Sequence, residues 1–131
     1  MEEDFEISAL ATKYLLQLGF DIRNMGFDYL KIAINICCQD VSYLKAITTK
    51  LYPTLANLFN VKPATIERDI RVSIKKAYKN AGLLGMNDIF DAIVYTNDFV
   101  YSNSELIGIL VNKINYDIKK EKLLKKYKIK K

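Results

Sequence analysis

The sequence contains no histidine, and its two cysteines, Cys37 and Cys38, are neighbours. Without histidine, His-based catalytic triads and mixed His–Cys zinc sites are excluded by composition. The cysteine pair lies in an apolar run with no further cysteine to join, so both read as small buried apolar side chains rather than metal or redox groups. No apolar run approaches the roughly 20 residues of a membrane span, so no membrane partner is expected. The chain opens with Glu2, Glu3 and Asp4, where a signal peptide would carry positive charge. A cytoplasmic location is the expectation. Strand-like alternation of useful length is missing, and so is any internal repeat. There is no phosphate-binding glycine loop, no cluster of metal ligands and no activated nucleophile. Neither enzymatic activity nor a metal or cofactor is expected.

What remains is a chain of 131 residues, half of them hydrophobic. That suffices for one domain with a real core and no disulfides. The net charge is +5 but unevenly placed. Residues 119–131 carry eight lysines and one acid, Glu121, while residues 2–6 carry four acids and no base. The rest is nearly neutral, so basicity has to be judged locally.

The hydrophobic pattern has helical period throughout and predicts an all-α domain of six or seven helices. In residues 5–18, Phe5, Leu10, Tyr14, Leu15 and Leu18 are expected to share the buried stripe, with Gly19 as a left-handed stop. Residues 27–39 form a second helix, apolar enough to be a central element. Asp40 to Tyr52 reads as a third, with Val41, Leu44, Ile47 and Leu51 inward. Pro53 either kinks it or opens the next helix in its first turn. Gly82 and Gly85 mark a loop. Residues 87–95 read as a short helix or turn-rich element with Ile89, Phe90, Ile93 and Val94 apolar. Ser102 or Asn103 followed by Glu105 marks the start of a last helix, about 104–118. The lysine-rich end extends that helix or frays, giving a domain over 1–118 and a tail over 119–131.

The stretch from Leu51 to Ala81 organises the rest. Residues 53–59 predict a short helix with the small Ala56 where a second helix approaches. Asn60 sits at the turn, where left-handed geometry is needed, and Val61 and Ile66 pin the turn inward. The helix from 64 to 81 has two faces. With Ile66 at zero on a helical wheel, Ile70, Ile74, Ala77, Tyr78 and Ala81 fall within about 0–120°. Arg68, Arg71, Lys75 and Lys79 fall within about 140–220°. One face suits a core and the other a polyanion. Arginine near the start of such a helix suits bidentate contact with guanine. Glu67, bordering the core face, either pairs with Arg71 one turn on or accepts a hydrogen bond from cytosine.

The string ITTKLYPTLANLFNVKPATIERDIRVSIKKAY resembles the DNA-binding effector domain of the stage-zero sporulation response regulator. Thr48 or Thr49 with Lys50, Leu51-Tyr52-Pro53, Ala56, Phe59-Asn60, Glu67-Arg68, Ile70-Arg71 and Ile74 carry the likeness. Gly26-Phe27-Asp28-Tyr29-Leu30 and Ser102-Asn103-Ser104-Glu105-Leu106-Ile107 extend it, over about Ile7 to Tyr116.

The resemblance implies a six-helix domain with a helix-turn-helix, reading a short duplex box that contains TGTCGAA, with tandem copies or a homodimer on adjacent boxes. It implies a bacterial, cytoplasmic protein, associated with the nucleoid when bound. The expected base-reading residues are Thr65, Glu67, Arg68 and Arg71, with Lys62, Lys75 and Lys79 on phosphates. Thr65 stands where the family pattern has arginine, Asp69 where it has a small residue, and Val72 where it has histidine, so box preference is expected to differ. The family's sigma-factor contact corresponds to Gly85 to Val94, where Phe90 matches but neighbouring positions do not.

Only a few residues precede the effector-like part, so a stand-alone transcriptional regulator without the family's receiver switch is expected. The alternatives are a plasmid or phage accessory protein marking an origin, transfer or partition site, and an interaction module that antagonises a full-length relative. The lysine tail suits either added nonspecific DNA affinity or a solubilising end.

Overall fold

The helical periodicity resolves into six α-helices in the computed structural model, which describes residues 2–128. They are α1 (Glu2–Gln17), α2 (Met25–Gln39), α3 (Tyr52–Phe59), α4 (Pro63–Lys79), α5 (Gly85–Phe90) and α6 (Asn103–Lys126). Single turns of other pitch sit between them: 3-10 turns at Val41–Lys45 and Gly82–Leu84, and a wider π turn at Ile47–Leu51. The fold is all-α; the described residues contain no strand. No described helix is long and apolar enough to cross a membrane.

The centre is α2, which packs against α1, α4 and α6. Phe27, Tyr29, Leu30, Ala33, Ile34, Asn35 and Cys37 are all buried along it and together span about 240° of its circumference. Gly26, in the first turn of α2 and just ahead of the start expected at 27, permits the crossing with α4. A Cβ there would stand 2.0 Å from Ser73 Oγ and 2.8 Å from the Asp69 carbonyl oxygen. Cys37 is buried and Cys38 half-buried. Burial pushes both thiols up to about 12, with the charge of Asp40 adding to the rise at Cys37 and the neighbouring Cys37 at Cys38. They act as the small apolar groups the sequence suggests.

In α1 the buried stripe is Ile7, Ala11, Tyr14 and Leu15, continued by Leu18 just past its end. Phe5 is not part of it: it is 77% exposed, on the opposite side of the helix from Ile7. Leu10 is only partly buried. Gly19 ends the helix as expected, at φ +82°, and Phe20 N–H closes the turn onto the Leu15 carbonyl at 3.0 Å.

The single helix expected over Asp40–Tyr52 is broken. Ala46 leaves helical geometry at φ −144°, ψ 49°, and Val41 is exposed. Asp40 caps the 3-10 turn, its carboxylate accepting from Ser42 N–H at 3.0 Å. The chain restarts with the π turn, which runs directly into α3, so Pro53 lies in the first turn of a helix. There its missing N–H and its ring are tolerated.

Beyond α5, Asp91 at φ 52° stops the helix, and Ile93 and Val94 point outward instead of joining the core. The loop is held by Asn87. Its side-chain oxygen accepts from Tyr95 N–H at 2.9 Å, and its amide donates to the Tyr95 carbonyl at 2.9 Å. Tyr95 stacks on Tyr101 with ring centres 5.2 Å apart.

Ser102 caps α6 in a reciprocal capping box with Glu105. Leu106, Ile107, Leu110, Val111, Ile114 and Ile118 are its buried side. The helix continues into the lysine-rich stretch as far as Lys126, and Lys122 Nζ lies 3.0 Å from Glu3 Oε2. The last residues of the tail, 129–131, lie outside the described residues.

Candidate nucleic-acid interface

The unit that carries the basic helix is built from three local preferences. First, α3 buries Tyr52, Leu55 and Ala56, and the small Ala56 lets the next helix come close. Second, Asn60 adopts φ 55°, ψ 49°, the left-handed geometry that asparagine tolerates better than most residues. Val61 N–H then donates back to the Ala56 carbonyl at 3.0 Å, and Val61 packs on the core. Third, Lys62 is extended and Pro63 opens α4, where its missing N–H costs little.

Ile66, Ile70, Ile74 and Ala77 fill the inner side of α4. Burial of each isoleucine contributes about 1.5–3 kcal/mol, enough to fix which way the outer side faces. The helix stops at Lys79. Ala81, expected inside it, lies beyond it at φ 59° and is exposed.

The outer side divides into three. Arg68, Arg71, Lys75 and Lys79 are exposed along one strip. Glu67 lies at the edge of that strip next to the start of α6. Thr65 is half-buried near the opposite edge, about 160° round the helix from Glu67. Lys62 is exposed at the approach to the first turn. The seven candidate residues thus share one helix and its entry, but Thr65 and Glu67 flank the arginine strip from different sides.

The strip is not bare positive charge. Arg71 Nε lies 3.0 Å from Glu67 Oε2, one turn away, and Arg68 Nε lies 3.3 Å from Asp69 Oδ1. Exposed pairs of this kind contribute about 0–1 kcal/mol each, so an incoming phosphate or base edge can replace them at small cost. Lys76 and Lys79, in the last turn, also complement the negative end of the helix dipole, a structural role that needs no ligand.

Beside the strip runs an open groove of about 490 Å³, lined by Thr48, Tyr52, Glu67, Arg71, Lys75 and the start of α6 from Ser102 to Glu105. Its floor is held by Asn103, which is buried. One amide nitrogen donates to both the Tyr52 hydroxyl and the Glu67 carbonyl, each at 3.0 Å. Burial raises the Tyr52 hydroxyl pKa, the Asn103 bond opposes the rise and the Glu67 charge adds to it. The sequence marks Asn103 only as a helix start; its role as a tie between α3, α4 and α6 depends on contacts 51 and 36 residues away in sequence.

A short helix, a left-handed turn and a longer helix with a basic outer side, locked into an all-α core, define a helix-turn-helix domain. Residues 11–114 match the sequence model of the family described as Sporulation initiation factor Spo0A C terminal. The match covers most of the chain, and the chain belongs to that family. The family's domain is a DNA-binding domain of transcription regulation, which agrees with the reading of α4 from charge and periodicity.

Proposed function

We propose that the protein is a transcriptional regulator that reads a short box in duplex DNA by laying α4 in the major groove. The observation that carries this is the exposed Arg68–Arg71–Lys75–Lys79 strip on a helix whose other side is fully buried. Arg68 and Arg71 lie in the first three turns, the part of such a helix that reaches base edges. Glu67 accepts from a cytosine amino group once Arg71 has turned toward a guanine, and Thr65 contributes from the other edge. Lys62, Lys75 and Lys79 hold phosphates and set register without reading sequence.

The self-paired arginines give the mechanism its selectivity. On a wrong duplex Arg71 gains a phosphate but leaves Glu67 facing anionic backbone. On the right one both partners of the broken pair are re-satisfied by bases. Because Thr65, Asp69 and Val72 differ from the family pattern, the preferred box differs from TGTCGAA at one or more positions. Tandem or paired copies on adjacent boxes and a sigma-factor contact through residues 85–94 belong to the same reading.

Selection from a random duplex pool tests it. Enrichment of one short box, with loss of enrichment when Arg68 and Arg71 are replaced by alanine, is the expected result. A pool that stays random refutes sequence reading. In that case co-purification with a full-length relative would favour the antagonist alternative.

A further inference from the structure

The outer side of α1 carries an apolar seam. Phe5 is 77% and Leu16 48% exposed; Ala9 is exposed and Thr12 half-buried between them. Successive members are four, three and four residues apart, which keeps all four within a strip about 60° wide, facing away from Ile7, Ala11, Leu15 and Leu18. Phe5 and Thr12, and likewise Ala9 and Leu16, are one heptad apart, the spacing by which helices pair side by side. Single exposed apolar residues need no explanation; Phe5 and Leu16 on one strip three turns apart, with only the small Ala9 and Thr12 between them, do.

We propose that this seam is a docking surface for a second copy of the chain, with the two α1 helices antiparallel about a two-fold axis between Ala9 and Thr12. The order along the seam is large, small, small, large. Only an antiparallel mate sets Phe5 against Leu16 at both ends and the small residues against each other at the crossing. The charges agree. Glu6 and Lys13 lie on the same flank of the seam, and in an antiparallel pair equal flanks face each other. Glu6 of each copy comes within reach of Lys13 of the other, twice by symmetry. A parallel mate would instead set Phe5 against Phe5 and Leu16 against Leu16 and place the two Glu6–Lys13 flanks on opposite sides, where neither charge meets its complement.

The seam is one helix long, below the area of a permanent dimer, so the association belongs to the weak, reversible class. Since α2 packs against both α1 and α4, pairing through α1 leaves the basic strip of α4 open. Such a dimer carries two separate reading helices rather than occluding either.

Sedimentation equilibrium on the full chain tests the proposal. The wild type is expected to show a monomer–dimer equilibrium with a dissociation constant of about 10–300 μM. Phe5→Ser, Glu6→Lys and Lys13→Glu are each expected to weaken it at least about tenfold. The double variant Glu6→Lys/Lys13→Glu is expected to restore it to within about threefold of wild type, which a nonspecific loss would not do. Phe5 and Lys13 are exposed and Glu6 is half-buried beside the groove between α1 and α6, and helical circular dichroism is expected to stay unchanged in every variant. A wild type that stays monomeric to about 1 mM overturns the proposal. So does a dimer indifferent to Phe5→Ser or Glu6→Lys, or a charge-swapped double variant that stays monomeric.

Discussion

The Asn103 side-chain amide, in the first turn of α6, donates to the Glu67 backbone carbonyl in α4 at 3.0 Å. The same nitrogen donates to the Tyr52 hydroxyl, so one buried side chain ties the scaffold to both helices of the helix-turn-helix. Asn103→Ala leaves the Tyr52 hydroxyl without that donor in a buried site. A loss of about 1–3 kcal/mol is expected in chemical denaturation. Asn103→Asp, equal in size but unable to donate when ionised, is expected to lose at least as much.

Gly26 tests the crossing of α2 and α4. An alanine Cβ would meet Ser73 Oγ at 2.0 Å, which a rotamer change relieves, and the Asp69 carbonyl at 2.8 Å, which only backbone movement relieves. Gly26→Ala is expected to cost about 1–3 kcal/mol despite alanine's better helix propensity, read as a lower thermal midpoint. Adding Ser73→Ala is expected to recover only part of it.

The cysteines are expected to be silent. With both thiols raised to about 12 by burial, the reactive thiolate is almost absent at neutral pH. Labelling by an aromatic disulfide reagent is expected to be slow in the native protein and complete on unfolding. Fast native labelling would show that α2 opens readily.

The capping box gives a pH dependence with a definite sign. The Ser102 backbone N–H bonded to Glu105, together with the Ser102 hydroxyl, holds the Glu105 carboxyl below its ordinary value of 4.5. A depressed folded-state pKa stabilises above the unfolded value and is lost as pH falls through the folded one. Wild type is therefore expected to exceed Glu105→Gln in stability at neutral pH by a few tenths of a kcal/mol, and the gap to close as pH drops below 4.5.

Much of the fold was legible because its signals are local. Gly19 and Asn60 carry left-handed turns, Ser102 and Glu105 form the cap, and Ile66, Ile70 and Ile74 keep helical period along α4. The errors arise where a residue's fate depends on what lies opposite. Phe5 reads as inward because it is large and apolar, yet α1 turns its other side to the core. The run from Asp40 to Tyr52 has helical spacing, but the Asp40 cap and Ala46 break it into two tighter and wider turns. Ile93 and Val94 are apolar enough to bury, but Asn87 secures the backbone of their loop and leaves them outside. For the candidate site, charge and period located the strip. Thr65 and Glu67 join it through the family resemblance, and they border the strip on opposite edges. Asn103 was invisible as a tie because its partners come from two other helices.

In the proposed function the arginines of α4 read bases while its lysines hold phosphates. The most direct test is equilibrium binding, at one fixed salt concentration, of wild type, Arg71→Ala and Lys75→Ala to the selected box and to its scramble. Arg71→Ala is expected to lose about 1–3 kcal/mol on the box and far less on the scramble. Lys75→Ala is expected to weaken both about equally. Equal losses on both duplexes for Arg71→Ala, or equal wild-type affinity for box and scramble, would contradict the account.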